Sequence, residues 1–118
     1  LTLPKMIEQK NGVIINILSV VLKKVFTGSS LYAASKAAVL AMDRSLREEV
    51  RSSGIKIIDV FPGATETDIW TKKQREKYSS RMMQPNDVAE AIIKIMVLAL
   101  NNRLMIEEIV LRPQGGDL

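Results

Sequence analysis

The sequence predicts an α/β fold in which three parallel strands are connected by helices. Three short apolar runs, at residues 13–18, 55–61 and 106–113, alternate with longer segments that have helical start and stop signals. Alternation at this spacing is typical of parallel strands with right-handed helical crossovers. The length of 118 residues allows one domain at most.

The chain opens with the end of a helix and a first strand. The segment "LPKMIEQK" has helical character, and Asn11-Gly12 is a good left-handed stop for it. The run "VIINIL", residues 13–18, is apolar and rich in β-branched residues, as expected for a strand buried on both faces. Ser19 lies at or just past the carboxyl end of this strand.

A long helix and a second strand come next, after a loop. Ser29 or Ser30 can cap the helix, which ends near residues 53–54. The run "IKIIDVF", residues 55–61, is the second strand, and Pro62-Gly63 stops it.

The last part of the chain contains a polar stretch, a helix and a third strand. Residues 64–84 are predicted to hold a short helix and a mobile flap. The helix over 88–100 has Asn86 or Asp87 as its cap. The third strand leads into a flexible tail, residues 114–118.

Composition excludes several classes of function. The absence of cysteine excludes disulfides and thiolate metal sites, and the absence of histidine leaves Tyr, Lys, Asp and Glu for acid–base chemistry. The net charge of +4 is scattered and aromatic residues are few, so we predict no nucleic-acid partner. The longest apolar run is interrupted by Lys94 and is too short to span a bilayer, so we predict no membrane partner. Since the start shows no signal-peptide pattern, we expect a cytoplasmic protein.

Tyr32 and Lys36 are the first candidates for a reaction site. Residues four apart on a helix share a face, and a nearby ammonium favours the phenolate form of a tyrosine. Such a tyrosine can take a proton from an alcohol or give one to a developing alkoxide. Ligands bind outside the carboxyl ends of parallel strands, where Ser19 and Pro62-Gly63 are also expected. A Tyr-x-x-x-Lys pair also arises by chance. The prediction therefore rests on this pair together with Ser19 and Pro62-Gly63 at the carboxyl ends of the strands.

These segments resemble the short-chain dehydrogenase/reductases. "GVIINILSV" is similar to the strand of that family that ends in the catalytic serine, and "YAASKAAV" to its Tyr-x-x-x-Lys helix. "IKIIDVFPGATETDI" resembles its strand and Pro-Gly-x-x-x-Thr segment, and "PNDVAEAI" and "EEIVLRPQGGDL" resemble its last helix and strand. The resemblance implies the C-terminal half of a doubly wound, Rossmann-like parallel sheet. Residues 1–118 would then form a partial NAD(P)-binding domain.

The resemblance also implies a role for each candidate residue. Ser19 would orient the substrate carbonyl or hydroxyl, and Tyr32 would be the general acid/base. Lys36 would stabilise the phenolate and hydrogen-bond the nicotinamide ribose, so the same tyrosine and lysine would also contact the cofactor.

Further cofactor contacts are implied for the segment after the second strand. Pro62 and Gly63 would shape the wall beside the nicotinamide, and Thr65 and Thr67 would hold the cofactor, either NAD or NADP. Residues 64–83 would form a variable lid over a small carbonyl or alcohol substrate.

The first half of the family pattern is missing from these 118 residues. They contain no glycine-rich turn after a first strand, so the cofactor pyrophosphate and adenine have no site here. The strand at 13–18 would also expose an open edge. We therefore expect the carboxyl half of a longer protein, to which the initial Leu1 points, or a chain completed by homo-oligomerisation or by another polypeptide.

Two functions remain after this comparison of motifs. The first is an oxidoreductase that moves hydride between NAD(P) and a small carbonyl or alcohol at a Ser-Tyr-Lys site. The alternative is a truncated, catalytically inactive homologue that acts only as a dimerisation or interaction module.

Overall fold

The computed structural model describes residues 2–118, and it confirms the predicted α/β fold with a three-stranded parallel sheet. The sheet order is β1-β2-β3, with strands β1 Gly12–Ile17, β2 Ile55–Pro62 and β3 Glu108–Leu111. The helices are α1 Thr2–Gln9, α2 Ser30–Val50, α3 Lys72–Tyr78 and α4 Pro85–Ala99. Short 3-10 turns occupy Val20–Leu22, Arg51–Ser53 and Ser79–Arg81.

Strand β2 is the centre of the sheet and the most buried element. It pairs with β1 from Gly12 opposite Ile55, and with β3 from Asp59 opposite Glu108. Because β3 pairs only with the last half of β2, it is shorter than the predicted strand at 106–113.

Helices cover both faces of β2, which explains why its sequence is apolar without alternation. On one face, Ile58 and Val60 pack with Ile95 and Ala99 of α4. On the other face, α1 and α2 pack around a second apolar cluster, formed by Val50, Ile55 and Ile57 with Leu3, Met6, Ile14 and Leu46.

Strand β1 lies at the edge of the sheet. Among the described residues it pairs only with β2, its residues are only partly buried, and Ile17 is 46% exposed. The prediction that this strand is buried on both faces is therefore wrong for the chain as described. Its sequence has the same apolar character as β2, but burial depends on neighbouring elements that the run itself does not contain.

One predicted helix start is confirmed in position and another needs correction. Ser29 occupies the cap position of α2, as one of the two predicted residues, but its side chain makes no capping hydrogen bond. The cap of α4 is Gln84, with Pro85 as the first helical residue. Asp87 lies inside the first turn, where its carboxylate accepts a 2.8 Å hydrogen bond from the backbone N–H of Gln84. The acid therefore caps the helix from within its first turn, as in a capping box.

Two arginines of α2, and a third in the 3-10 turn that follows it, fasten this helix to the sheet. The pairs are Arg44 with Glu108 at 2.7 Å, Arg47 with Asp59 at 2.7 Å, and Arg51 with Glu107 at 2.9 Å. Only the middle pair is buried, with side chains 4% and 0% exposed. This row of ion pairs holds α2, the helix that carries Tyr32 and Lys36, against β2 and β3.

Helix length and composition do not suit a bilayer. Across residues 2–118, each helix is too short or too polar to cross a membrane.

Candidate active site

A cleft of about 860 Å³ opens beyond the carboxyl ends of β1 and β2. All seven candidate residues named from the sequence line it: Ser19, Tyr32, Lys36, Pro62, Gly63, Thr65 and Thr67. They come from three separate segments of the chain. The parallel arrangement brings these segments to one edge of the sheet, where ligands of such folds bind.

Ser19 enters the cleft directly after Leu18, a buried residue that anchors the end of the first strand segment. Its backbone is extended, with φ −167° and ψ 153°, and its hydroxyl oxygen accepts a 3.2 Å hydrogen bond from the backbone N–H of Val21. The hydroxyl hydrogen has no acceptor among the described residues. Ser19 can therefore donate this hydrogen to an oxygen bound in the cleft.

Tyr32 and Lys36 reach the cleft from the first turns of α2. The Lys36 ammonium lies 5.8 Å from the centre of the Tyr32 ring and donates a 2.9 Å hydrogen bond to the backbone carbonyl of Ile17. Tyr32 is 40% exposed, and its hydroxyl has no partner in the described part of the chain. An ammonium has three hydrogens, so Lys36 keeps donors for a ligand after its bond to Ile17.

The turn after β2 forms the opposite wall of the cleft. Gly63 donates a 2.7 Å hydrogen bond to the Leu111 carbonyl, which brings this turn against the end of β3. A Cβ at Gly63 would lie 3.1 Å from Cδ of Pro113 and 3.4 Å from that same carbonyl oxygen. A side chain at this position would therefore be tightly packed against the end of β3, and glycine suits the close approach of the two backbones.

Thr65 and Thr67 have different surroundings within this wall. The Thr65 hydroxyl donates a 3.0 Å hydrogen bond to the Gly63 carbonyl, so it supports the turn itself. The Thr67 carbonyl accepts a 3.2 Å hydrogen bond from the backbone N–H of Trp70.

Residues 64–83, predicted as a lid, are pinned at their base. Thr65 and Met83 form an isolated bridge, and the Glu66 carboxylate accepts hydrogen bonds from Gln84 at 2.9 Å and Ser79 at 2.7 Å. Both bonds stabilise the ionised carboxylate and so lower the pKa of Glu66 below its usual value. The bond from Gln84 is the larger cause. The side chain of Trp70 donates to the Thr65 carbonyl at 2.9 Å and lines the cleft.

The carboxyl-terminal residues Asp117 and Leu118 also line the cleft, which the sequence reasoning missed. The tail at 114–118 was predicted to be flexible, but the Asp117 side chain is only 6% exposed. Its carboxylate pairs with Arg112 at 2.7 Å and Lys24 at 3.3 Å. The only sequence signal was one acid in a tail that follows a basic strand end, and it did not identify Lys24.

This chain is similar to known proteins in both sequence and structure. The sequence model described as short chain dehydrogenase matches residues 1–78. Sepiapterin reductase from Chlorobaculum tepidum is 35% identical over 111 residues, which are 94% of this chain and 44% of that protein.

The chain belongs to the short-chain dehydrogenase family.

Solved structures agree with this family membership. The closed form of serine dehydrogenase complexed with NADP⁺ is 26% identical, with a TM-score of 0.83 over 98% of this chain and 50% of that one. A 7α-hydroxysteroid dehydrogenase complexed with NADH and 7-oxo glycochenodeoxycholic acid is 25% identical, with a TM-score of 0.75 over 97% and 48%.

The resemblance read from the motifs is thus confirmed at the level of the family and the Rossmann-like fold. The chain spans less than half the length of the curated short-chain dehydrogenase relatives that it matches. The assignment of 1–118 as a partial NAD(P)-binding domain, and the roles of the individual site residues, stay predictions.

Proposed function

We propose that this chain carries the catalytic part of an NAD(P)-dependent oxidoreductase that interconverts a carbonyl compound and an alcohol. The observation that carries the proposal is the convergence of Ser19, Tyr32 and Lys36 on one cleft beyond the sheet edge. The family membership supports the reaction class. Two similar proteins are described as complexed with NADH and with NADP⁺, so the comparisons favour a nicotinamide cofactor without choosing between the two forms.

The donor set on this edge fits a nicotinamide riboside. Lys36 has spare ammonium hydrogens for ribose hydroxyls, and Pro62 and Gly63 offer a flat wall without charge. The hydroxyl of Thr65 is used within the turn, so Thr67 is the better candidate for a side-chain contact with the cofactor. A bound nicotinamide would supply or accept the hydride.

The residues of this chain would handle the proton. In the direction of reduction, Tyr32 gives its phenolic proton to the carbonyl oxygen as that oxygen becomes an alcohol. The neighbouring Lys36 ammonium stabilises the phenolate that remains. Ser19 donates its free hydroxyl hydrogen to the same oxygen and so orients the substrate. In the direction of oxidation, each of these proton movements runs in reverse.

The test is Tyr32→Phe in the native polypeptide that contains this chain. Loss of a general acid should lower kcat by about 10²–10⁴-fold while cofactor affinity stays nearly unchanged. Tyr78→Phe is a matched control, because Tyr78 is the other tyrosine of the sequence and also lines the cleft. A Tyr32→Phe enzyme with activity within a few-fold of the parent would contradict the assignment.

The second candidate is an inactive homologue that acts as an interaction module. It is favoured by the free edge of β1 and by the lack of a glycine-rich phosphate loop within these 118 residues. The intact mass of the native polypeptide separates the two functions. A mass near twice 13.2 kDa supports the oxidoreductase, whereas a mass of 13.2 kDa supports the module.

A further inference from the structure

A second cavity, of about 600 Å³, lies at the amino ends of β1 and β2, on the side of the sheet opposite the candidate active site. Its walls come from the turn into β1, the turn into β2 and the segment after α4. Four basic residues line it: Lys10, Arg51, Lys56 and Arg103. Among residues 2–118, no acidic side chain lines this cavity. It therefore gathers positive charge that the proposed reaction does not use.

The protein neutralises only part of this charge. Arg51 pairs with Glu48 at 2.6 Å and with Glu107 at 2.9 Å, outside the cavity lining. Lys10 and Arg103 form no ion pair with an acid in the described part of the chain. The four cations and the two glutamates together carry a net charge of +2. The cavity thus keeps an excess of positive charge after its own ion pairs are counted.

Lys56 is held at the wall of the cavity by the end of α4. Its ammonium donates hydrogen bonds to the carbonyl oxygens of Ala99 at 2.6 Å and Asn101 at 2.5 Å. A cation at the carboxyl end of a helix offsets the partial negative charge of the last carbonyl groups. Two of its three hydrogens are used in this way, so one remains for a ligand.

The backbone of Lys10 is unusual. Lys10 has a φ of 51° and is the one residue other than glycine with a positive φ in the described chain. Glycine adopts this left-handed conformation at a lower cost than lysine, and it is the usual residue at such a helix end. The turn is also fixed from outside, because a Cβ on Gly54 would lie 2.6 Å from the Lys10 carbonyl oxygen. Lysine therefore occupies a rigid position where its side chain, and not its backbone, is the advantage.

We propose that this cavity binds a small phosphate-bearing anion through Lys10, Lys56 and Arg103. Lysine and arginine are the side chains that bind phosphate oxygens in proteins, and the planar guanidinium of arginine can donate two parallel hydrogen bonds to one phosphate. Since the three cations come from three separate segments, a multiply charged anion between them would contact all three at once. The described lining contains no aromatic side chain on which a nucleic-acid base could stack, which favours a small molecule over a nucleic acid.

The test is calorimetric titration of the native polypeptide with inorganic pyrophosphate. At about 0.15 M NaCl, long-range attraction between exposed charges is largely screened, so binding reports the local site. The parent should bind with a Kd of about 1 mM or tighter. Lys10→Gln combined with Arg103→Gln should weaken this binding by about tenfold or more. A pyrophosphate bound anywhere else in the native polypeptide would keep its affinity in this variant.

The matched control removes the same two charges outside the cavity. Lys94→Gln combined with Arg75→Gln changes one lysine and one arginine that do not line it, and the Kd should stay within about twofold of the parent. Lys10→Gly separates binding from folding, because glycine suits the left-handed backbone but lacks the ammonium. Its unfolding midpoint should equal or exceed that of the parent, while pyrophosphate binding weakens by about threefold or more.

Three results would overturn the inference. They are the absence of binding to the folded parent at about 10 mM pyrophosphate, equal weakening in the cavity variant and in the matched control, and unchanged affinity in Lys10→Gly. None of these results depends on turnover, so the inference stands or falls independently of the proposed oxidoreductase function.

Discussion

Replacement of Arg47 by Met should destabilise the chain strongly, because it removes the cation from a buried charge cluster. The Arg47 guanidinium donates to Asp59 Oδ2 at 2.7 Å, to the Ile57 carbonyl at 2.9 Å and to the Glu107 carbonyl at 3.1 Å. Asp43 and Asp59 are both buried, and one oxygen of each carboxyl group has no hydrogen-bond partner among the described residues. Methionine would fill much of the same space but would leave two acids without a cation.

The expected loss of stability follows from the burial of the Arg47–Asp59 ion pair. Removing one partner of a buried ion pair costs about 3–5 kcal/mol, because the other charge is left unpaired in the interior. The matched control is Arg44→Met, one turn earlier on the same face of α2. Arg44 is 57% exposed and its bridge to Glu108 is near the surface, so that change should cost about 0–1 kcal/mol.

The pH dependence of the stability loss in Arg47→Met provides a second test of this reasoning. Burial raises the pKa of Asp59 to about 6, and the neighbouring Asp43 carboxyl adds to this, whereas Arg47 opposes it. Without Arg47 the pKa of Asp59 should rise further, so the protonated, uncharged form persists to higher pH. The destabilisation by Arg47→Met should therefore be smaller near pH 5 than near pH 8.

Urea unfolding followed by circular dichroism at both pH values would measure these differences. Equal losses for the two arginine variants would refute the reasoning that burial decides the cost. A loss for Arg47→Met that does not change with pH would refute the role given to Asp59.

Two further predictions concern Asp59 and the turn before β2. The pKa of Asp59 is raised above its unfolded value of about 3.9, so its contribution to stability falls as pH rises from about 4 through about 6. Asp59→Asn should remove this part of the pH dependence, and an unchanged stability–pH curve would contradict it. Gly54→Ala should cost more than about 1 kcal/mol, since Gly54 has φ +72° and a Cβ there would lie 2.6 Å from the Lys10 carbonyl oxygen. Gly115→Ala, with no atom within 4 Å and no positive φ, should change the unfolding midpoint little, and similar effects of both would refute this.

Strand β2 shows what local sequence can predict. Its apolar run lies between Gly54 and Pro62-Gly63, and the structure confirms the predicted strand, Ile55–Pro62, which is buried on both faces. Strand β1 has the same sequence character, yet it is only half-buried. The difference comes from neighbours across the sheet, which no pattern within residues 12–17 encodes.

The candidate site shows the same division between local and distant information. The spacing of Tyr32 and Lys36 on one helix was visible in the sequence, because helical periodicity is a local property. The bond from Lys36 to the Ile17 carbonyl spans 19 residues, and the bridge from Lys24 to Asp117 spans 93. Such contacts follow from the fold, so the part played by the tail could not be predicted from composition or periodicity.

Asp59 combines a local sequence signal with a distant partner that the sequence does not identify. An aspartate inside "IKIIDVF" breaks an apolar run, and a buried acid needs a cation or a proton. The run therefore signals a buried polar partner, but it does not identify Arg47 on a helix that precedes the strand.

The contacts of α2 indicate whether the placement of Tyr32 and Ser19 depends on elements outside this chain. Near its start, Lys36 bonds the Ile17 carbonyl at the end of β1, and near its end, Arg47 bonds β2 and the Glu107 carbonyl. Both attachments are made by residues of this chain, and they determine where Tyr32 lies relative to Ser19. We therefore expect the residues proposed to transfer the proton, Tyr32 and Ser19, to keep their arrangement in this chain alone. The open edge of β1 is different, because its outward backbone groups have no strand partner among the described residues. Under the proposed function, a further strand at this edge would extend the cleft toward the adenine part of a nucleotide.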